Sequence, residues 1–126
     1  MFDILGLDWG SKYFGMAFGS STTGLIFPSQ KVYLAENIWE ALEEEISTRK
    51  TKLLIIGLPT NFKFQHTEVS QKVLDFIEEF KLKFPNIEVK TVNERNTSKD
   101  FDKLNTKLIH NLAAKQILEL YLDENQ

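Results

Sequence analysis

Two acids and one histidine are the residues of this chain best placed to do chemistry. Asp8 closes a short apolar run and is followed by Trp9-Gly10-Ser11. A carboxylate there either braces the turn, since Asp accepts backbone N–H bonds well, or stands as a rigidly held metal ligand or base at a strand end. Glu94 and Arg95 directly follow a later apolar run. As an exposed ion pair they would be worth roughly 0–1 kcal/mol. As a second carboxylate at the edge where Asp8 ends, Glu94 would help make an oxygen-rich site for a hard divalent cation. His110, inside Leu108-Ile109-His110-Asn111-Leu112, reads either as a packing or surface residue of a helix or as a ligand. His66 reads as a loop residue without a role.

Basic residues near these groups are candidate substrate contacts. Lys99, Lys103 and Lys107 recur every fourth residue, so they share one helical face, and His110 continues it. Such a stripe is either a solvated face or, beside Arg95, a local phosphate-contacting surface. Lys12, in the turn after Asp8, and Asn61, in Gly57-Leu58-Pro59-Thr60-Asn61, would lie at the same edge. Trp9, Phe27 and Phe62 could stack bases, but core or loop packing explains each more simply. No Walker loop, GxGxxG, HExxH or GxSxG is present, which removes the commonest NTPase, dinucleotide, zinc-protease and esterase readings.

The elements that must position these residues follow from periodicity. Phe2–Leu7, Tyr13–Phe18 and Leu25–Leu34 read as three strands, joined by turn chemistry at Gly10-Ser11-Lys12 and at 19–24. Ile38, Leu42 and Ile46 recur every fourth residue over 35–47, a helical stripe. Lys52–Leu58 is a continuous apolar run of the kind a central buried strand needs. Val69, Val73, Phe76, Ile77, Phe80 and Phe84 predict a second helix stopping near Pro85, and Ile87–Val92 a further strand. About 104–122 predicts a last helix with Leu108, Leu112, Ile117 and Leu120 turned inward. The order is βββαβαβα. It implies an α/β mixed five-stranded sheet, three antiparallel strands and then αβαβα, with flanking helices. Neighbouring parallel strands end together, so Asp8 and Glu94 are expected to converge from adjacent strands at one edge.

The bulk properties agree with one domain. The chain has 126 residues, 42% hydrophobic and 26% charged, enough for a core without staples. It has no cysteine, which excludes disulfides and thiolate metal sites. The first residues carry no basic leader-like region, and no apolar run approaches the roughly 20 residues of a membrane span. A cytoplasmic protein without membrane contact is expected. A net charge of −3 weighs mildly against a general nucleic-acid binder, yet acidic site residues would themselves contribute to it.

Four segments, in order, resemble the YqgF-type, Holliday-junction-resolvase-like family of pre-16S rRNA nucleases. They are Gly6-Leu7-Asp8-Trp9-Gly10-Ser11-Lys12 with Gly15, Gly57-Leu58-Pro59-Thr60-Asn61, Val92-Asn93-Glu94-Arg95-Asn96-Thr97, and Asn111-Leu112-Ala113-Ala114 leading into 118–122. The resemblance implies a ribonuclease H-like fold and a divalent-metal phosphodiesterase acting on precursor 16S rRNA ends or branched DNA. Asp8 matches the family's first catalytic aspartate and Glu94 its glutamate, while His110 stands where the family carries a third acid. Asn93 likewise replaces an acid, and the loop 62–67 lacks the family's acidic, glycine-bearing character. Asp8, Glu94 and His110 are thus the expected catalytic and metal ligands, for Mn²⁺ or Mg²⁺. Imidazole at the third position favours Mn²⁺. The alternative is a catalytically degenerate member that binds nucleic acid or protein. A phosphotransfer role, suggested by the Asp8-x-Gly10-Ser11 turn, would need a second domain that this length does not supply. A four-way junction would call for a symmetric homodimer, an RNA end only for a monomer.

Overall fold

The computed structural model describes residues 2–59, 68–94 and 108–124, with the side chains of Pro59, Glu68 and Glu94 outside that description. Its strands are β1 (Ile4–Asp8), β2 (Tyr13–Gly19), β3 (Ile26–Pro28), β4 (Tyr33–Leu34), β5 (Leu53–Pro59) and β6 (Glu88–Glu94). Its helices are α1 (Ile38–Arg49, after a 3-10 turn at Ala35–Asn37), α2 (Glu68–Lys83) and α3 (Ile109–Glu124). The sheet order is β3-β2-β1-β5-β6, with β4 also pairing β2. β2 runs antiparallel to β1, β3 and β4, while β1, β5 and β6 are parallel.

Alternation along β1 divides the molecule into two cores. Leu5 and Leu7 point to one face and pack with Phe14, Met16, Leu42, Ile56, Val73 and Phe80 under α1 and α2. Ile4 points to the other, with Ala17, Ile55, Val92, Ala114, Ile117 and Leu118 under α3. β5 lies between β1 and β6 and is covered on both faces, which is why it reads as unbroken Leu-Leu-Ile-Ile.

The α3 face is paved with small residues, so the helix backbone can approach the sheet closely. A Cβ on Gly6 would stand 2.6 Å from Leu118 Cγ and 2.9 Å from the Ala114 carbonyl oxygen. One on Gly15 would fall on the His110 carbonyl. α1 ends at Lys50, whose φ of 53° is left-handed, and the N–H groups of Lys50 and Thr51 both reach the Ile46 carbonyl.

Several expectations need correction. The third apolar run is two short strands, so the sheet has six strands rather than five. The Ser29 and Lys31 carbonyls, between those strands, accept hydrogen bonds from the Asn111 amide. Val69 and Leu120 are 44% and 37% exposed, because the buried stripes are Val73-Phe76-Ile77-Phe80 on α2 and Asn111-Ala114-Leu118 on α3. Leu108 and Leu112 are only partly buried. The 104–107 start expected for the last helix lies outside the described residues. Among the described residues no helix is long and apolar enough to cross a membrane.

Candidate active site

Asp8 is the last residue of β1, and its neighbour in space comes from the far end of the chain. His110 Nδ1 lies 2.7 Å from Asp8 Oδ2, and the two side chains are 14% and 32% exposed for Asp8 and His110. Burial pushes the Asp8 carboxyl above its ordinary value, and the hydrogen bond and charge of His110 oppose that shift. The net result is a carboxylate that ionises less readily than a surface Asp, beside the imidazole that most favours its charged form.

Three features bring the histidine there. Gly15, which pairs with Asp8 across the β1–β2 ladder, leaves the space that the His110 carbonyl occupies. A Cβ on Gly10 would stand 3.3 Å from His110 Cε1 and collide with the Tyr13 carbonyl, so the turn also closes tightly only as glycine. Asn111, fully buried, then locks the first turn of α3 to the sheet. Its Oδ1 accepts from the Met16 N–H at 2.9 Å, and its Nδ2 donates to the carbonyls of Ser29 (3.0 Å) and Lys31 (2.8 Å).

Glu94 closes β6 and pairs with Pro59 of β5. The expected convergence from adjacent strands is not what the sheet shows, because β5 intervenes between β1 and β6. In register, Asp8 stands level with Gly57 and Val92, and Glu94 is two residues further along β6. One intervening strand separates the two acids by roughly 10 Å across the sheet. Both still belong to the carboxyl-terminal edge of the parallel strands, where sites in such sheets gather.

The other expected contacts are distributed as follows. Lys12 is exposed on the turn after β1, its ammonium 5.6 Å from the centre of the Tyr13 ring. Asn61, Arg95, Lys99, Lys103 and Lys107, like His66 and Phe62, lie outside the described residues. Sequence reasoning quoted Asn111 and Gly15 without giving either a task. The available signal was a short polar amide inside an apolar helix, a residue that must find backbone partners or destabilise it.

Asp8 and His110 suit a divalent cation in kind, offering one carboxylate oxygen and one imidazole nitrogen, a combination that suits Mn²⁺ better than Mg²⁺. Among the described residues they are not joined by a third His, Asp or Glu.

The chain is similar to several known proteins. A family model described as RuvX, Holliday junction resolvase, matches residues 3–124. A "Putative pre-16S rRNA nuclease" of Sulfurihydrogenibium sp. is 35% identical over 133 residues, covering 95% of this chain and 89% of that protein. A protein of the same name from Aeromonas salmonicida is 25% identical, covering 96% and 94%. Among solved structures, the fowlpox virus Holliday junction resolvase superposes with a TM-score of 0.57 at 16% identity, over 98% of this chain and 99% of that one. That last likeness is one of fold, and it agrees with the ribonuclease H-like architecture expected from the sequence.

Proposed function

Because the chain belongs to the RuvX, Holliday junction resolvase family, we propose that it is a divalent-metal-dependent nuclease hydrolysing phosphodiester bonds in structured nucleic acid. The substrate classes are the ends of precursor 16S rRNA, the reading its relatives' names favour, or branched DNA. Action on rRNA would place it in the cytoplasm. The observation that carries the proposal is the partly buried Asp8–His110 pair at the sheet edge.

Asp8, His110 and Glu94 are the groups that would hold the metal. A bound divalent cation supplies an activated water and neutralises charge on the phosphate. The chain's own part is positioning. Asp8 is fixed by a strand in the middle of the sheet, and its hydrogen bond holds the His110 ring in one orientation. The raised affinity of Asp8 for a proton is offset when a cation replaces that proton. Lys12, Asn61, Arg95, Lys99, Lys103 and Lys107 are the proposed phosphate contacts, which set register but carry no sequence information.

A second reading rests on the same histidine. With an imidazole in place of the family's third acid, the chain would be a catalytically degenerate member that binds nucleic acid or protein. A cleavage assay separates the two. Labelled precursor-type RNA, single-stranded DNA and a four-way junction are incubated with Mg²⁺, Mn²⁺ or EDTA, using Asp8→Asn and Glu94→Gln as controls. Metal-dependent cutting lost in both variants supports the nuclease, and the preferred substrate decides RNA against DNA. Cutting of the junction would further call for a homodimer, measured by sedimentation. No cutting under any condition transfers the chain to the binding role.

A further inference from the structure

We propose that the cleft beside Trp9 is a subsite for one unpaired nucleobase of the strand engaged at Asp8, an inference that rests on the nuclease reading. The cleft has a volume of about 340 Å³ and opens between the β1–β2 turn, α1 and α2. That is the small end of the roughly 300–1,000 Å³ typical of ligand pockets.

Its lining is a run of aromatic rings. Trp39 stacks on Phe76 at 4.7 Å and 15°, Phe76 tilts against Phe14 at 5.2 Å, and Phe14 meets Trp9 edge-on at 6.1 Å. The inner rings are buried, while Trp9 and Trp39 at the two ends are only half-covered. Both indoles also pack against the core, and the part of each that stays exposed is a surface a flat π-system would cover.

Charge at the rim selects among flat ligands. Lys72, Asp75 and Glu79 line the opening. The carboxylates of Asp75, which accepts from Gln71 through Oδ1, and of Glu79, paired with Lys83 at 3.9 Å, would repel a phosphodiester. They suit the exocyclic amino group of a base, which donates to Asp or Glu. A duplex presents no free base face to such a cleft, so the base must be unpaired.

Position ties the cleft to the cleavage site. Trp9 directly follows Asp8, and Gly10, which lines the cleft, also borders His110 Cε1. Trp9 faces the α1–α2 side of the sheet and Asp8 the α3 side, so a strand with a base seated against Trp9 reaches the Asp8–His110 pair by crossing the sheet edge at Gly10.

The chain contains two tryptophans, and both line this cleft, so indole emission reports its occupancy. The test titrates the full chain carrying Asp8→Asn with single-stranded oligoadenylate, ribo and deoxy, and with an abasic oligomer of equal length. Expected are quenching by both oligoadenylates but not by the abasic oligomer, and an affinity roughly 5- to 100-fold higher for the base-bearing strands. Trp9→Ala erases that ratio and Trp9→Phe keeps it, with unchanged circular dichroism. Equal affinities without quenching overturn the proposal. So does a Trp9→Ala variant that weakens both oligomers alike. The quenching comparison needs no variant at Trp9, so it decides even if Trp9→Ala does not fold. Wild-type cleavage without base-dependent quenching removes this subsite and leaves the nuclease. Base-dependent quenching in a chain that cuts nothing keeps the subsite and removes the nuclease.

Discussion

His110 Nδ1 and Asp8 Oδ2 are hydrogen-bonded at 2.7 Å across 102 positions of sequence. The pair joins the first strand to the last described helix and puts an imidazole against a partly buried carboxylate. In the proposed nuclease, that relationship would set the metal preference. Wild-type cleavage is expected to be about tenfold or more faster with Mn²⁺ than with Mg²⁺, and His110→Asp to reverse the order. Rates in matched metal concentrations check this. Equal or better turnover with Mg²⁺ in the wild type, unchanged in His110→Asp, would remove the histidine from the metal site.

The same pair predicts a pH dependence of stability. Asp8 has a folded-state pKa above its ordinary value of 3.8. Stability from a raised group is fully present below the unfolded value and is lost as pH rises through the folded one. Wild type should therefore lose stability relative to Asp8→Asn as pH rises above 3.8 and through the raised folded-state value. Urea unfolding in EDTA measures the difference at each pH. A difference that stays flat would mean that Asp8 titrates alike in the folded and unfolded chains.

Asn111→Ala should cost about 2–4 kcal/mol, because it leaves the buried Met16 N–H and two carbonyls short of partners. It should also raise the Mn²⁺ concentration needed for half-maximal cleavage, since Asn111 fixes the turn that carries His110. Normal stability in this variant would contradict the three-bond clamp.

Two glycines of one strand should behave differently. Gly15→Ala puts a methyl group into the His110 carbonyl and should cost about 3 kcal/mol or more. At Gly19 the nearest atom is Leu118 Cδ1 at 3.4 Å, an ordinary contact, so Gly19→Ala should stay within about 1 kcal/mol. Thermal unfolding of the pair gives the comparison, and similar losses would refute the close approach of α3.

Much of this was legible in the sequence because periodicity reports burial. Ile38, Leu42 and Ile46 are all buried as their spacing predicts, and the Lys52–Leu58 run became β5, an interior strand between β1 and β6. The misses have physical causes. Strand order depends on where a crossover re-enters the sheet, and nothing local to Asp8 or Glu94 announces that β5 lies between them. The break in the third run comes where the Asn111 amide takes the Ser29 and Lys31 carbonyls, a partner some 80 positions away. The same distance hid the Asp8–His110 bond. What could be read was that each residue type was suited to a site, not that these two would meet.

The two cores are unequal, and that inequality has a kinetic meaning. The α1–α2 face is built from large interlocking side chains, whereas the α3 face rests on a smaller set with Ala17, Ala114 and glycines among them. Docking of α3 thus rests on close backbone approach and on the Asn111 hydrogen bonds rather than on large side chains, so α3 should open as one cooperative unit when those are lost. Amide hydrogen exchange would then show α3 exchanging at a lower free energy than β1 and β5. Each such opening takes His110 away from Asp8. The assembled site is thus a population, present in proportion to how often the helix is docked, and a ligand bridging both residues would slow exchange in α3 ahead of every other element.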